Sequence, residues 1–367
     1  MEATYVSIDE SYIGKKVAQD IYVNTQYPIL KKNTVITEEH FHILKVFQIS
    51  KVLLYKDSVN KAVSIESSKK NIEEDIEKQT FEIQKNSFQL EYEEAVSQYK
   101  KEFSNWEAGA KIDIVKIRGI ILPLIEKILA DRSIMFDLNS YSNPKDYMYH
   151  HCVATGLISS VIAQKLGFDK GVILQMATAG SLADCGMAKI PARIREKKQA
   201  LNQNEFNEVH KHPIYSFQLV KDLPALKEDM KQAIIEHHER LDGSGYPRGL
   251  KLDNISVYSQ IIAIADTFHA MTSERIYRSK ESPFKVVEMI KESEFGKFNI
   301  KIVTALLNIV VDLPIGTKVE LSNFERGEIM FINQFSPTRP LVKLHRTGNI
   351  IDLSKNRGIY IERILKN

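Results

Sequence analysis

The feature that most restricts the fold is a long stretch without helix-breaking residues. Between Ile29 and Ala108 the chain contains neither Gly nor Pro, and from Ile65 onward apolar residues recur at near-helical spacing among Lys and Glu. This pattern predicts one long amphipathic helix over residues 65–110. Two interpretations of its apolar stripe remain open, because the helix can pack on its own domain as a connector or pair with a second copy in a homodimer.

The segments on both sides of this helix differ in character. Residues 1–64 alternate strand-like and helix-like pieces, which indicates a small N-terminal α+β unit. Residues 111–311 are helical in pattern almost throughout, with loops marked by Gly and Pro. Residues 312–367 contain short segments rich in Val and Ile, separated by Gly, Asn or Pro, which predict a small antiparallel β unit. The fold class is therefore mainly α.

Composition excludes several classes of protein. The chain has 50 Lys and Arg residues and 47 Asp and Glu residues, so a formal net charge of +3 gives no field that would attract a nucleic acid polymer. Its apolar runs are shorter than the roughly 18 residues of a membrane span, which argues against membrane insertion. Cys152 and Cys185 are the only cysteines, and the acidic N-terminus lacks a signal-peptide pattern. We therefore expect a cytoplasmic protein without disulfides.

Histidines are concentrated in the predicted helical region. Seven of the ten lie there, namely His150, His151, His210, His212, His237, His238 and His269. Neutral imidazole is the commonest metal ligand, and carboxylates join it where an ion activates water, so Asp184, Glu239 and Asp266 become candidate partners. Solvated histidines are the alternative for each residue taken singly, but the joint pattern favours a metal site.

Two carboxylates stand in surroundings that predict burial. Asp266 lies within IIAIADTF, a helical segment that is apolar almost all round, so its carboxylate would be desolvated unless a cation meets it. Asp184 follows ATAGSLA, a run of small residues that permits close packing. A metal ion explains both. The alternatives are that Asp266 bonds a neighbouring backbone group and that Asp184 belongs to a helix-terminal loop.

Residues 237–250 read HHERLDGSGYPRGL, which resembles the signature of the HD-GYP domain family. The resemblance continues in YMYHHC around His151, KHP at 211–213, IIAIADTFHAMTSERIYR at 261–278 and FGKFNIKIV at 295–303. It implies an HD-type helical bundle that holds iron or manganese ions, in a family that hydrolyses the bacterial second messenger cyclic di-GMP. We expect one or two divalent transition ions as cofactors and cyclic di-GMP, or a related phosphodiester, as the ligand.

The resemblance also assigns metal ligands position by position. The family's ligands fall on His151, Asp184, His212, His237, His238 and Asp266. Asp184 would bridge two ions and act in catalysis. By the same pattern, one ion would be bound on the side of His151 and Asp266, and the other on the side of the remaining histidines.

Two positions depart from the family pattern. Where the family reads HDIGK, this chain reads Ala183-Asp184-Cys185-Gly186-Met187. Ala183 replaces the histidine of the HD pair and offers no ligand atom, while Met187 replaces a lysine that supports the phosphate and carries no charge. We expect reduced turnover. Loss of a residue that supports a ligand lowers metal affinity by roughly 10- to 100-fold, and loss of a ligand itself should lower the affinity for the ion on the His151 side by at least as much.

His269 is a candidate for compensation. It lies one helical turn after Asp266, on the same helical face, and could lend a nitrogen to the weakened ion. The alternative is that His269 bonds a backbone carbonyl nearby. His150, directly before His151 on a predicted helix, is expected to be exposed, and His210 is expected to take no part in the site.

Residues predicted to bind the substrate combine glycine flexibility, a stiffening proline and positive charge. They are Gly245, Tyr246, Pro247, Arg248, Arg275 and Arg278. The loop that contains Gly245 could also meet a protein partner, or be a plain surface turn.

Three functions are compatible with these residues. The first is a metal-dependent cyclic di-GMP phosphodiesterase of reduced activity. The second is a catalytically silent receptor for the nucleotide, or a scaffold for another protein. The third is an HD-superfamily phosphohydrolase that acts on a different substrate.

Overall fold

The computed structural model describes residues 3–7, 9–22, 28–37, 40–41, 44, 49, 51–55, 66–274, 280–292 and 296–365, with side chains described except at 7, 10 and 66–86. The helices are α1 (Glu66–Glu107), α2 (Ile114–Ala130), α3 (Leu138–Tyr141), α4 (Tyr147–Lys165), α5 (Lys170–Leu182), α6 (Ala192–Arg195), α7 (Gln203–Val209), α8 (His212–Val220), α9 (Glu228–Glu236), α10 (Val257–Thr272), α11 (Pro283–Glu292) and α12 (Ile300–Val310). Short 3₁₀ helices span Glu10–Tyr12, Arg132–Phe136, Cys185–Lys189 and Leu252–Asn254. The mainly α fold class is confirmed.

Two antiparallel sheets flank the helices. In the N-terminal unit, β1 (Ala3–Ser7) pairs with β2 (Lys51–Tyr55). The C-terminal sheet contains β3 (Lys318–Leu321), β4 (Arg326–Phe331), β5 (Leu341–Leu344), β6 (Ile350–Asp352) and β7 (Ile361–Ile364), in the order β6-β5-β4-β3-β7. The predicted C-terminal β unit is thus confirmed. The helix-like part of residues 1–64 falls mostly outside the described residues.

The C-terminal half of α1 packs on the helical region. Phe88, Tyr92, Tyr99, Phe103 and Trp106 are fully buried in a core that continues through α2, α4, α5 and α10 and reaches the C-terminal sheet. Aromatic side chains at helical spacing supply this contact, so the connector interpretation is confirmed for this half of the helix. None of the helices in the described ranges combines the length and apolar character required to cross a bilayer.

Helix α4 lies at the centre of the bundle. Its residues from His150 to Ala163 are buried on every side, since α1, α2, α5 and α10 surround it. The expectation that His150 is exposed is therefore wrong. The residue is 3% exposed, and its ring centroid lies 5.6 Å from that of Tyr92 on α1.

Local sequence features determine where two helices of the site begin. Helix α10 begins after Ser256, whose hydroxyl accepts a hydrogen bond from the Ser259 N–H at 3.1 Å. Helix α8 begins at His212, and Pro213 occupies a first-turn position where no backbone donor is needed. The start of α8 thus places the buried His212, while Asp266 lies further along α10.

Candidate metal centre

The candidate ligands from five elements meet in the bundle. His151 lies on α4, Asp184 follows α5, and His212 opens α8. His237 and His238 follow α9, and Asp266 lies on α10. All six sequence-predicted ligands therefore occupy one buried region of the fold.

These residues form two groups in which one ligand atom per residue lies within 4.8 Å of the others. The first, which we call the four-residue group, consists of Asp184, His212, His237 and His238. The second, the three-residue group, consists of His151, Asp184 and Asp266. Asp184 belongs to both.

The two carboxylate oxygens of Asp184 face different groups. Its Oδ1 lies 3.0 Å from His212 Nε2 and 3.5 Å from His237 Nε2. Its Oδ2 lies 3.2 Å from His151 Nε2, which also contacts Asp266 Oδ1 at 2.8 Å. A carboxylate with this arrangement can serve two cations at once.

The donor atoms of the four-residue group fit a metal ion. His212 Nδ1 lies 2.7 Å from the Val209 carbonyl, and His237 Nδ1 lies 2.6 Å from the Ile234 carbonyl. A carbonyl oxygen only accepts, so both Nδ1 atoms carry a proton, and Nε2 is the ring atom left to contact a carboxylate or a cation. These Nε2 atoms are 3.3 Å apart and face the Asp184 carboxylate. A cation between these atoms could bind both Nε2 atoms and the carboxylate.

The electrostatics of the three-residue group favour charged side chains. Burial alone would lower the pKa of His151, but hydrogen bonds to Asp184 and Asp266 raise it to about 9. Burial would raise the pKa of Asp184, yet hydrogen bonds from His151, His212 and His237 hold it well below its usual range. Burial would raise the pKa of Asp266, but the hydrogen bond and charge of His151, together with the charge of His237, lower it. Both carboxylates are thus ionised and able to bind a cation.

The turn that carries Asp184 is locked to helix α8. The Ser216 hydroxyl donates to the Ala183 carbonyl at 2.7 Å and accepts from the Gly186 N–H at 2.8 Å. A side chain on Gly186 would collide with the backbone of His212 and Ser216. This close approach fixes the distance between Asp184 and His212 even though the preceding residue is Ala183.

The two departures from the family pattern are both buried. Ala183 and Met187 are among the core residues of the bundle. Lys189 does not substitute for the missing lysine, because its Nζ contacts the Trp106 carbonyl at 3.5 Å.

His269 contacts the three-residue group through His151. Its Nδ1 lies 2.9 Å from His151 Nδ1, on the side of that ring opposite the nitrogen that faces the carboxylates. The Tyr147 hydroxyl lies 3.2 Å from the same His151 Nδ1, and the Ser273 hydroxyl lies 3.2 Å from His269 Nε2. His269 is fully buried and belongs to neither ligand group.

The glycine-containing loop lies beside His238. Tyr246 stacks on the His238 ring, with centroids 4.7 Å apart, and Gly245 packs against the backbone of Glu239. The Arg248 side chain is 48% exposed, with Nη1 3.8 Å from Glu236 Oε1. Of the other predicted substrate-binding residues, Arg275 and Arg278 lie outside the described residues.

Two residues of this region make contacts that the sequence did not predict. Glu239, considered as a metal partner, instead accepts hydrogen bonds from the Arg248 and Leu250 N–H groups at 2.7 and 2.9 Å. His210, not expected to be a ligand, belongs to neither ligand group and stacks on Tyr246. The alternation of histidines in HKHP is the one sequence signal that could have drawn attention to it.

Comparisons with known proteins agree with this architecture. Residues 123–298 match the sequence model of the HD domain family. The cyclic di-GMP phosphodiesterase PdeB of Borreliella burgdorferi is 28% identical over 215 residues, which cover 58% of this chain and 56% of that protein. A cyclic di-GMP phosphodiesterase of Pseudomonas aeruginosa is 26% identical over 242 residues, which cover 66% of this chain and 58% of that protein. The chain thus spans little more than half the length of these two relatives.

A solved structure shares the fold. The HDG"Y"P protein from Bdellovibrio bacteriovorus superposes with a TM-score of 0.50 at 17% identity, covering 84% of this chain and 99% of that one. The buried His and Asp residues thus lie in a helical bundle that is similar to HD domains. The resemblance of the sequence to HD-GYP proteins is confirmed by these comparisons.

Proposed function

We propose that this chain is a metal-dependent phosphodiesterase that hydrolyses cyclic di-GMP in the cytoplasm. The observation that carries the proposal is Asp184, whose two oxygens face two separate ligand groups. Relatives that share this helical region are named cyclic di-GMP phosphodiesterases. Hydrolysis would open one phosphodiester bond and leave the linear dinucleotide.

Iron or manganese is the proposed cofactor, as one or two ions. Mixed imidazole and carboxylate donors suit these divalent ions. When bound, they would lower the pKa of water and offset charge on the phosphate oxygens. His212, His237 and His238 would hold one ion together with Asp184, while His151 and Asp266 would hold the other with the second oxygen of Asp184.

The loop beside His238 and the basic residues that follow α10 are the proposed substrate contacts. Gly245, Pro247 and the half-exposed Arg248 lie next to the four-residue group, where Arg248 could meet a phosphate or the carboxylate of a protein partner. Arg275 and Arg278 remain proposed from the sequence alone. Tyr246 belongs to the same loop and stacks on His238.

His269 is proposed to support the first ion mainly through His151. For His151 to bind a cation through Nε2, its Nδ1 must carry the proton, and His269 Nδ1 at 2.9 Å can accept it. A hydrogen bond of this kind orients the ring and raises its basicity. Direct ligation by His269 would require its ring to leave this contact.

A catalytically silent receptor is the second candidate function. Ala183 and Met187 favour it, because they remove a ligand and a phosphate-directed charge from one short segment. The four-residue group and the adjoining loop would still offer a nucleotide site.

A homodimer is also proposed. The apolar stripe of α1 from Phe88 onward is already buried within the chain, so pairing would use the preceding turns, where Ile72, Ile76 and Ile83 continue the pattern. Light scattering should then give twice the chain mass of 42.0 kDa, and deletion of residues 1–86 should return it to that of one chain.

The experiment that separates the two functions combines turnover with binding. Protein loaded with Mn²⁺ or Fe²⁺ is incubated with cyclic di-GMP, the linear product is quantified by chromatography, and binding is measured by calorimetry. Turnover that Asp184→Asn abolishes supports the phosphodiesterase. Binding without turnover supports the receptor, and the lack of both would overturn the proposal.

A further inference from the structure

Three rings form a continuous stack beside the four-residue group. The His210 and Tyr246 rings have centroids 3.8 Å apart and planes inclined by 9°. On the other face of Tyr246, the His238 ring lies with its centroid 4.7 Å away and its plane inclined by 27°. Tyr246 is therefore enclosed between a ligand histidine and His210, and no face of its ring remains open to a nucleotide base.

The position of Tyr246 is determined by its own loop. Its N–H donates to the His238 carbonyl at 3.2 Å, so the tyrosine is tied to the residue on which it stacks. The buried carboxylate of Glu239, 2% exposed, closes the loop by accepting from the N–H groups of Arg248 and Leu250. A Cβ on Gly245 would collide with the backbone of Glu239 and Arg240, so this approach requires glycine.

His238 differs from the other histidines of its group in how its ring is held. The Nδ1 atoms of His212 and His237 bond backbone carbonyls at 2.7 and 2.6 Å. Within the described part of the chain, no hydrogen bond to a carbonyl orients His238, whose nearest carboxylate oxygen, Asp266 Oδ2, lies 3.8 Å from its Nδ1. Ring contacts therefore set its orientation: the centroids of His237, Tyr246 and His212 lie 4.0, 4.7 and 4.9 Å from that of His238. Tyr246 is the one of these three that is not itself a candidate ligand, and its stacking is favourable at this separation.

We infer that Tyr246 and His210 are positioning residues that hold His238 in its ligand orientation, so that the glycine-tyrosine-proline loop builds part of the metal site. This inference rests on the proposed function, because it assumes that the four-residue group binds an ion. It assigns to the tyrosine ring a task that a substrate contact would not require.

The test measures Mn²⁺ affinity, by calorimetry with metal-depleted protein, for matched variants. Tyr246→Leu removes the ring, Tyr246→Phe keeps it, and His210→Ala removes the outer ring of the stack. Phe335→Leu is the matched control, because Phe335 is 89% exposed in the C-terminal unit. Circular dichroism melting identifies any variant that fails to fold.

Tyr246→Leu should lower the affinity for one Mn²⁺ ion by about 10- to 100-fold, which is the usual loss when a residue that orients a ligand is removed. His210→Ala should lower the affinity for the same ion by several-fold, while Tyr246→Phe and Phe335→Leu should keep wild-type affinity. If Tyr246→Leu does not fold, the His210→Ala result decides. Wild-type affinity in the folded ring-removing variants would overturn the inference, as would equal losses in Tyr246→Phe and Tyr246→Leu. A wild-type protein that takes up no Mn²⁺ would instead contradict the proposed function.

Discussion

The two ligand groups share Asp184 but are built differently. In the four-residue group, backbone carbonyls at helix ends orient His212 and His237. In the three-residue group, side chains orient the ligand, since His269 and Tyr147 contact Nδ1 of His151. A substitution can remove a side-chain contact of this kind, whereas a backbone carbonyl remains whatever side chain its residue carries. By the family pattern, Ala183 removes a fourth ligand from the three-residue group, and the remaining histidine of that group depends on replaceable neighbours.

The largest effect is expected when Asp184, which both groups share, is replaced. We expect Asp184→Ala to lower the affinity for both Mn²⁺ ions by at least about 100-fold, because each group loses a charged ligand. Metal analysis after dialysis measures this, with Asp253→Asn as a control on an exposed carboxylate. Loss of one ion alone would show that Asp184 does not serve both groups.

Restoring the family residues should make the two groups more alike. Ala183→His adds a ligand to the three-residue group, and Met187→Lys adds a cation directed at the phosphate. Each change should raise cyclic di-GMP turnover by roughly 10-fold or more, and the double variant should exceed either single one, since both act on the same transition state. Product chromatography under equal metal loading provides the measurement. An inactive double variant with two bound ions would mean that the defect lies elsewhere in the cleft.

Much of this arrangement could be predicted from the sequence, and the exceptions have a common cause. Asp266 in an apolar helix, Asp184 after small residues and the Val- and Ile-rich C-terminal strands are local signals. The burial of His150 was missed because α4 is enclosed on all sides, so residue spacing does not define an outer face. The contacts of His210 with Tyr246 and of His269 with His151 join distant segments, which only tertiary packing brings together.

The groups should also differ in their response to pH. The pKa of His151 is raised to about 9 from an ordinary value of 6.5, so the metal-free protein gains stability from protonated His151 below about pH 6.5 and loses it as pH rises toward 9. Metal binding must displace this proton, so affinity at the three-residue group should rise by up to about tenfold per pH unit over that range. Mn²⁺ titrations at pH 6.5, 7.5 and 8.5 test this. A slope that persists in His151→Ala would assign it to another residue.

The smallest expected effect concerns the support of His151. His269→Asn keeps an acceptor for the His151 Nδ1 proton, whereas His269→Leu removes it. His269→Leu should lower the Mn²⁺ affinity of the three-residue group by about 10-fold, and His269→Asn should lower it by less. Neither variant should change the affinity of the four-residue group much. Calorimetric Mn²⁺ titration distinguishes the two ions. Equal losses in both variants would favour His269 as a direct ligand.

We expect the chain to keep one intact ion site and one weakened site. A Mn²⁺ titration of metal-depleted wild-type protein, His151→Ala and His237→Ala tests it most directly. We predict two wild-type ions whose affinities differ by at least about tenfold, with His151→Ala removing the weaker ion and His237→Ala the tighter one. Two ions of equal affinity, or loss of the tighter ion in His151→Ala, would contradict the claim.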